Sequence, residues 1–152
     1  MIFISINKNG DSIMTVDIVQ KATRLIDNPG TTASIGLHEK NGDISVSAIS
    51  SIKAEGLNVL WFSTNTTGRK ANLIKKDNRV GVCYFTEQDN VSLSGTAEIV
   101  TDEKKKEEMW LDWFKNHYKD GPTDKDYCLV KVTVKHARLY VDGEAADFGL
   151  EV

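Results

Sequence analysis

The chain has 152 residues, 40% hydrophobic and 27% charged, a composition that fits an ordinary globular protein with one core. A formal charge of -3 leaves no basic excess to displace counterions from a phosphate backbone, which argues against a nucleic-acid partner. No apolar run nears the roughly 20 residues that a membrane helix requires, so no membrane contact is expected.

Met1 to Ile6 is apolar but turns polar at Asn7, Lys8 and Asn9, and it lacks the basic leader of a signal peptide. Residues 1–13 read as an extension ahead of one domain over 14–152. Cys83 and Cys128 stand in apolar stretches without a Cys-x-x-Cys pair, as buried small hydrophobes do in a reducing, cytoplasmic compartment. His38, His117 and His136 are scattered, so no metal site is expected.

Thr15 is placed to cap a helix carrying Ile18, Val19, Ala22, Leu25 and Ile26, which Asn28-Pro29-Gly30 stops. A strand over Thr31 to His38 follows, then a hairpin at Asn41-Gly42, where Asn and Gly tolerate positive φ. Ile44 to Ile52 alternates apolar and hydroxyl residues, as a strand with one wet face does. Val59 to Ser63 reads as a third strand, Arg69 to Lys76 as a short helix, and Arg79 to Phe85 as a buried strand. Val91 to Val100 is a strand interrupted by Gly95, the mark of a bulge. Thr101 opens a long helix with an apolar stripe of Met109, Trp110, Trp113, Phe114 and Tyr118. A last strand runs from about Tyr127 to Val141, with a tail after Asp142-Gly143. The sum is an α+β fold, mainly antiparallel β, in which six strands form a barrel with peripheral helices.

Chemistry concentrates in Ser63-Thr64-Asn65-Thr66-Thr67-Gly68-Arg69-Lys70, where a strand end delivers hydroxyls to a helix that opens with two cations. Hydroxyls, helix-start amides and cations together make a phosphate cradle, although the same residues taken alone equally fit a solvated capping turn. Ile44 to Ser51 is short in large side chains, so its backbone is open to a flat ligand. The aromatic stripe has the spacing of core packing, with a cofactor cap or a dimer seam as the alternatives and Trp110 or Trp113 as the residues that would then lie near a ligand. No Ser-His-Asp or Cys-His arrangement points to hydrolysis.

The run LWFSTNTTGRKANLIKKDNRVGVCYF, residues 60–85, resembles the flavin-phosphate segment of the pyridoxamine 5'-phosphate oxidase-like split barrels. Gly68-Arg69-Lys70 stands in the place of that family's Ser-Arg-Lys, and Asp77-Asn78 in the place of its Asn-Pro. Ser94-Gly95-Thr96-Ala97-Glu98 is similar to its Gly-x-Ala-Glu strand. Met109 to Phe114 and Asp126 to Lys131 look like its general stress protein branch.

The resemblance implies a six-stranded split β-barrel that binds FMN between the subunits of a homodimer. It makes the chain an expected flavin-dependent oxidoreductase with an unidentified small-molecule electron donor or acceptor, or else a non-enzymatic flavin-binding module. Arg69 and Lys70 would hold the phosphate, and Ser63 and Thr64 would bond phosphate or ribityl oxygens. The backbone around Val46, Ser47 and Ala48 would meet the flavin ring edge, and Asn90 stands where the oxidases place a flavin-contacting glutamine. The resemblance names no catalytic side chain. Ser45 falls where the oxidases have a further phosphate-binding arginine. Losing one charge-assisted bond of about 1.5–3 kcal/mol weakens FMN by roughly ten- to a hundredfold. The oxidases' C-terminal Arg-x-His element has no counterpart around His136 to Tyr140, so pyridoxamine phosphate oxidation is not expected.

Overall fold

The structure is a computed structural model and describes residues 12–150. In chain order the elements are α1 (Ser12–Ile26), β1 (Thr32–His38), β2 (Ile44–Glu55), β3 (Val59–Asn65), α2 (Arg69–Lys76), β4 (Arg79–Phe85) and β5 (Asn90–Val100). They are followed by α3 (Glu103–Glu108), 3-10 turns at Asp112–Asn116 and Gly121–Thr123, β6 (Tyr127–Val141) and β7 (Glu144–Gly149). No helix among the described residues is long and apolar enough to cross a membrane.

All neighbouring strands are antiparallel, in the order β3-β2-β1-β4-β5-β6-β7, and β3 also pairs with β6. That last pairing closes six strands into a barrel and leaves β7 outside the ring. The strand β6 carries the closure. One of its edges is lined by β5 from Leu129 to Tyr140, while the other serves β3 over Tyr127–Thr133 and then β7 over His136–Val141.

Alternation along the strands fills the barrel with Ile35, Leu37, Leu60, Phe62, Val82, Tyr84, Leu93 and Val132. Ile18, Val19, Ala22 and Ile26 of α1 and Leu73 and Ile74 of α2 join this core from outside. A second cluster gathers Ile52, Trp61, Met109, Phe114, Tyr118, Tyr127 and Leu129 beneath the 3-10 turns.

Several expectations change. Thr15 lies inside α1, which starts by Ser12, so it is not the cap. The expected extension over residues 1–13 falls mostly outside the described residues, and its last two open α1. The long helix is broken: α3 stops at Glu108, Met109 leaves the helix with φ near −91°, and Asp112–Asn116 continues as a 3-10 turn. The break lets Trp110 and Phe114 both reach Tyr127, with ring centroids 5.3 and 5.8 Å away. The α3 cap is Asp102 rather than Thr101; its carboxylate accepts from the Lys105 amide at 2.8 Å. The expected tail is β7, joined to β6 by a turn whose Asp142 and Gly143 both take positive φ. The strand β2 runs on to Glu55, past its expected end at Ile52, with a bulge between Ser51 and Lys53.

The barrel encloses one polar pair. The Tyr84 hydroxyl and Ser51 Oγ are 3.2 Å apart and both residues are buried. Burial pushes the Tyr84 phenol up to about 12, against a smaller downward pull from the Ser51 bond. Burial likewise raises Tyr118 to about 12. An unfolded tyrosine ionises near pH 10, so the neutral phenols stabilise the fold fully below that value. This stabilisation is lost as the pH rises from about 10 to 12. The thermal midpoint, followed by circular dichroism, is therefore expected to begin falling near pH 9, where the buried thiols would ionise on unfolding, and to fall more steeply above pH 10. Tyr84→Phe should flatten part of that fall.

Candidate functional site

The site lies where the barrel wall opens. On one edge β2 pairs with β1 from Ile44 to Ser50, but on the other its pairing with β3 begins only at Ser50↔Ser63. Along Ile44–Ile49 no strand among the described residues pairs with that second edge. Backbone amides and carbonyls of this stretch therefore face a gap, and polar groups in a gap seek other partners.

Opposite the gap stands the start of α2. The loop before it is tightly bonded: the Asn65 side chain accepts from the Thr67 amide at 3.0 Å, and Gly68 N donates to Asn65 O at 3.0 Å. Gly68 is the N-cap residue and brings no side-chain hydrogen bond, so the first-turn amides of α2 keep their donors outward. Arg69 and Lys70 add two positive charges there.

Two adjoining grooves result. One, of about 330 Å³, is lined by Leu37, Ser45, Val46, Ser47, Thr64, Asn65, Gly68, Arg69, Lys70 and Leu73. The other, of about 290 Å³, is lined by Thr32, Ala48, Ile49, Ser50, Ser63, Thr64, Asn65, Lys70, Trp113, Phe114, His117 and Tyr118. Thr64, Asn65 and Lys70 belong to both, so a ligand can run from the charged helix start toward an aromatic wall.

The structure thus brings together seven of the expected site residues: Val46, Ser47, Ala48, Ser63, Thr64, Arg69 and Lys70. Asn90 is not among them. It opens β5 on the outer face of the barrel, opposite Phe85 and Tyr140. Ser45 lines the charged groove and offers a hydroxyl there in place of a cation.

An aromatic wall also lines the second groove, and of Trp110 and Trp113 it is Trp113 that lies there. Trp113, His117 and Tyr118 form the far wall, with Trp113 and His117 rings edge to face at 5.8 Å. The spacing of Trp113 and Tyr118 places them on the stripe assigned to core packing, yet Trp113 is 38% exposed. Tyr118 keeps its proton at neutral pH, because burial raises its phenol. Glu39, just past the end of β1, pairs with Arg69, which lines the first groove, and nothing in its local sequence signals this. Neither cysteine is an activated nucleophile, since burial pushes both thiols above their ordinary value.

The hydroxyls, uncapped amides and cations fit a phosphate ester, and the open β2 edge beside an aromatic wall fits a planar ring. A separate hollow of about 520 Å³ lies on the outer face, where Gly36 and Gly81 sit opposite each other. Ile44, Val46, Phe85 and Tyr140 are exposed on the same side of the sheet.

Comparisons with known proteins agree with this architecture. A protein from Clostridium acetobutylicum related to general stress protein 26 of B. subtilis has 26% identity and a TM-score of 0.71, covering 91% of this chain and 94% of its own. General stress protein 26 from Bacillus anthracis shares the fold at 21% identity and a TM-score of 0.72, covering 86% of this chain and 98% of its own. The general stress FMN/FAD binding protein from Xanthomonas citri shares it at 18% identity and a TM-score of 0.71, with 90% and 97% covered. No curated protein matches the sequence. The family described as "Pyridoxamine 5'-phosphate oxidase like" matches residues 17–152. With that match over nearly the whole barrel, the chain belongs to the pyridoxamine 5'-phosphate oxidase-like family.

Proposed function

We propose that this protein is a cytoplasmic FMN-binding homodimer, related to the general stress proteins, that acts as a flavin-dependent oxidoreductase. The observation that carries the reading is the uncapped start of α2, with Arg69 and Lys70, facing the unpaired edge of β2. The Xanthomonas citri neighbour, an FMN/FAD binding protein, supports the flavin part of the reading. The phosphate would lie against Arg69, Lys70 and Thr64, with Ser63 and Ser47 toward the ribityl chain. The ring would lie along Val46 to Ala48.

Bound FMN supplies hydride or electron transfer. The protein's part is to bind, orient and shield. The first-turn amides and Lys70 fix the anionic end, Trp113 and Phe114 exclude water from the second groove, and the Tyr118 hydroxyl can donate a hydrogen bond into it. The small, weakly polar outer face around Gly36, Gly81 and Val46 suits a second copy of the chain. Asn90, which faces that side beside Phe85, would then contribute to the partner's groove.

The test is titration of flavin-free protein with FMN while flavin fluorescence is followed, alongside light scattering for mass. Saturable quenching at micromolar FMN in a dimer is expected. Unchanged fluorescence would overturn the reading. Ser45, without a cation, favours a second reading in which flavin is bound reversibly and not turned over. Sustained reoxidation cycles after anaerobic reduction by a nicotinamide donor would exclude that alternative.

A further inference from the structure

We propose that Glu39 sets the affinity and charge selectivity of the groove by occupying Arg69 until a doubly charged phosphate ester displaces it. The inference rests on the reading of this groove as the phosphate site.

Glu39 is delivered by a rigid hairpin. Its amide donates to Asp43 O at 2.7 Å, Gly42 N donates back to Glu39 O at 3.0 Å, and Asn41 and Asp43 are bonded to each other through both side chain and backbone. The Glu39 side chain is 19% exposed, while that of its partner Arg69 is 71% exposed. The carboxylate is thus the more buried partner, and it engages an Arg69 that lines the groove. A carboxylate and a phosphate ester use the same guanidinium donors, so Glu39 stands where one ester oxygen would bond.

The charges follow. Arg69 is locally neutralised, Ser45 adds no cation, and Lys70 has no ion-pair partner among the described residues. A neutral ligand gains nothing by displacing Glu39. A singly charged one exchanges like for like, while a dianion gains a charge. Glu39 therefore lowers affinity for every anion by competing for the Arg69 guanidinium. This makes it a residue that tunes selectivity without touching the ring.

The experiment measures dissociation constants for FMN and for riboflavin, which lacks the phosphate, by fluorescence quenching. The proteins are wild type, Glu39→Gln, Glu39→Asp, Arg69→Ala, the Glu39→Gln/Arg69→Ala pair and the Arg69→Ala/Lys70→Ala pair, each checked by thermal melting. Glu39→Gln is expected to tighten FMN by about three- to tenfold and leave riboflavin unchanged. Glu39→Asp should stay near wild type, and the gain should shrink in the Arg69→Ala background. If Glu39→Gln leaves FMN unchanged or weakens it while Arg69→Ala weakens it, the inference is wrong and the phosphate site stands. If FMN affinity ignores Glu39, Arg69 and Lys70 alike, the phosphate site itself is wrong and the inference falls with it.

Discussion

Replacing Arg69 and Lys70 together by alanine is expected to weaken FMN by at least about a hundredfold while the protein still folds. Each cation offers a charge-assisted contact of about 1.5–3 kcal/mol, so the pair gives about 3–6 kcal/mol, or about a hundred- to ten-thousandfold. The lower part of that range is expected because Arg69 starts out paired with Glu39. Folding should change little. Arg69 is exposed, neither side chain belongs to the core, and alanine suits a helix start in which no side chain caps the amides. Calorimetric titration gives the affinity, and the thermal midpoint should remain within a few degrees of wild type. Riboflavin should bind both proteins alike. Equal FMN affinity in both proteins would remove the phosphate from this end of the groove.

The largest effect on stability is expected at Gly95. A Cβ built there would sit 1.9 Å from Thr133 O, 2.9 Å from Thr133 C and 3.0 Å from Val134 Cα. All three are backbone atoms of the neighbouring strand, so no side chain can swing aside. Gly95 marks the register shift between β5 and β6, where the two chains press closest. Gly95→Ala must part the seam of the barrel. The cost should exceed about 3 kcal/mol, a large share of the roughly 5–15 kcal/mol that stabilises a typical domain. Gly149→Ala is the control, because its added Cβ meets only Lys135 O, at an ordinary 3.8 Å. Urea denaturation should show a much lower midpoint, or no folded baseline, for the first and near wild-type behaviour for the second. Equal midpoints would mean that the strands separate at little cost.

The strands were legible because hydrophobic alternation and turn chemistry act locally. Asn41-Gly42 announced the first hairpin, and Gly42 takes φ near +90° there. Gly95 announced its bulge. The helix expected from Thr101 to Tyr118 is broken: its stripe has helical spacing, yet Met109, Phe114 and Tyr118 are buried against Tyr127 and Trp61 of distant strands. Packing with those partners outweighed the periodicity, and the chain tightened into a 3-10 turn. The strand β7 was hidden because Glu144 to Gly149 alternates only between half-buried and exposed positions and offers no apolar run.

At the site, the two cations and the strand-end hydroxyls stood in one short segment and could be read together. The partner of Arg69 could not, since Glu39 is thirty positions earlier and meets it only through the hairpin. Trp113 and His117 were visible as a pair four apart, but not which face of the fold they would line.

One arrangement bears on how this barrel can vary in evolution. A single long strand, β6, keeps β5 on one side and hands its other side from β3 to β7 midway along its 15 residues. A residue inserted at the handover would invert inward and outward positions for every neighbour beyond it, because side chains alternate with period two. Length changes among descendants should therefore collect at the hairpin tips and in the segment between β5 and β6, while this strand keeps its length.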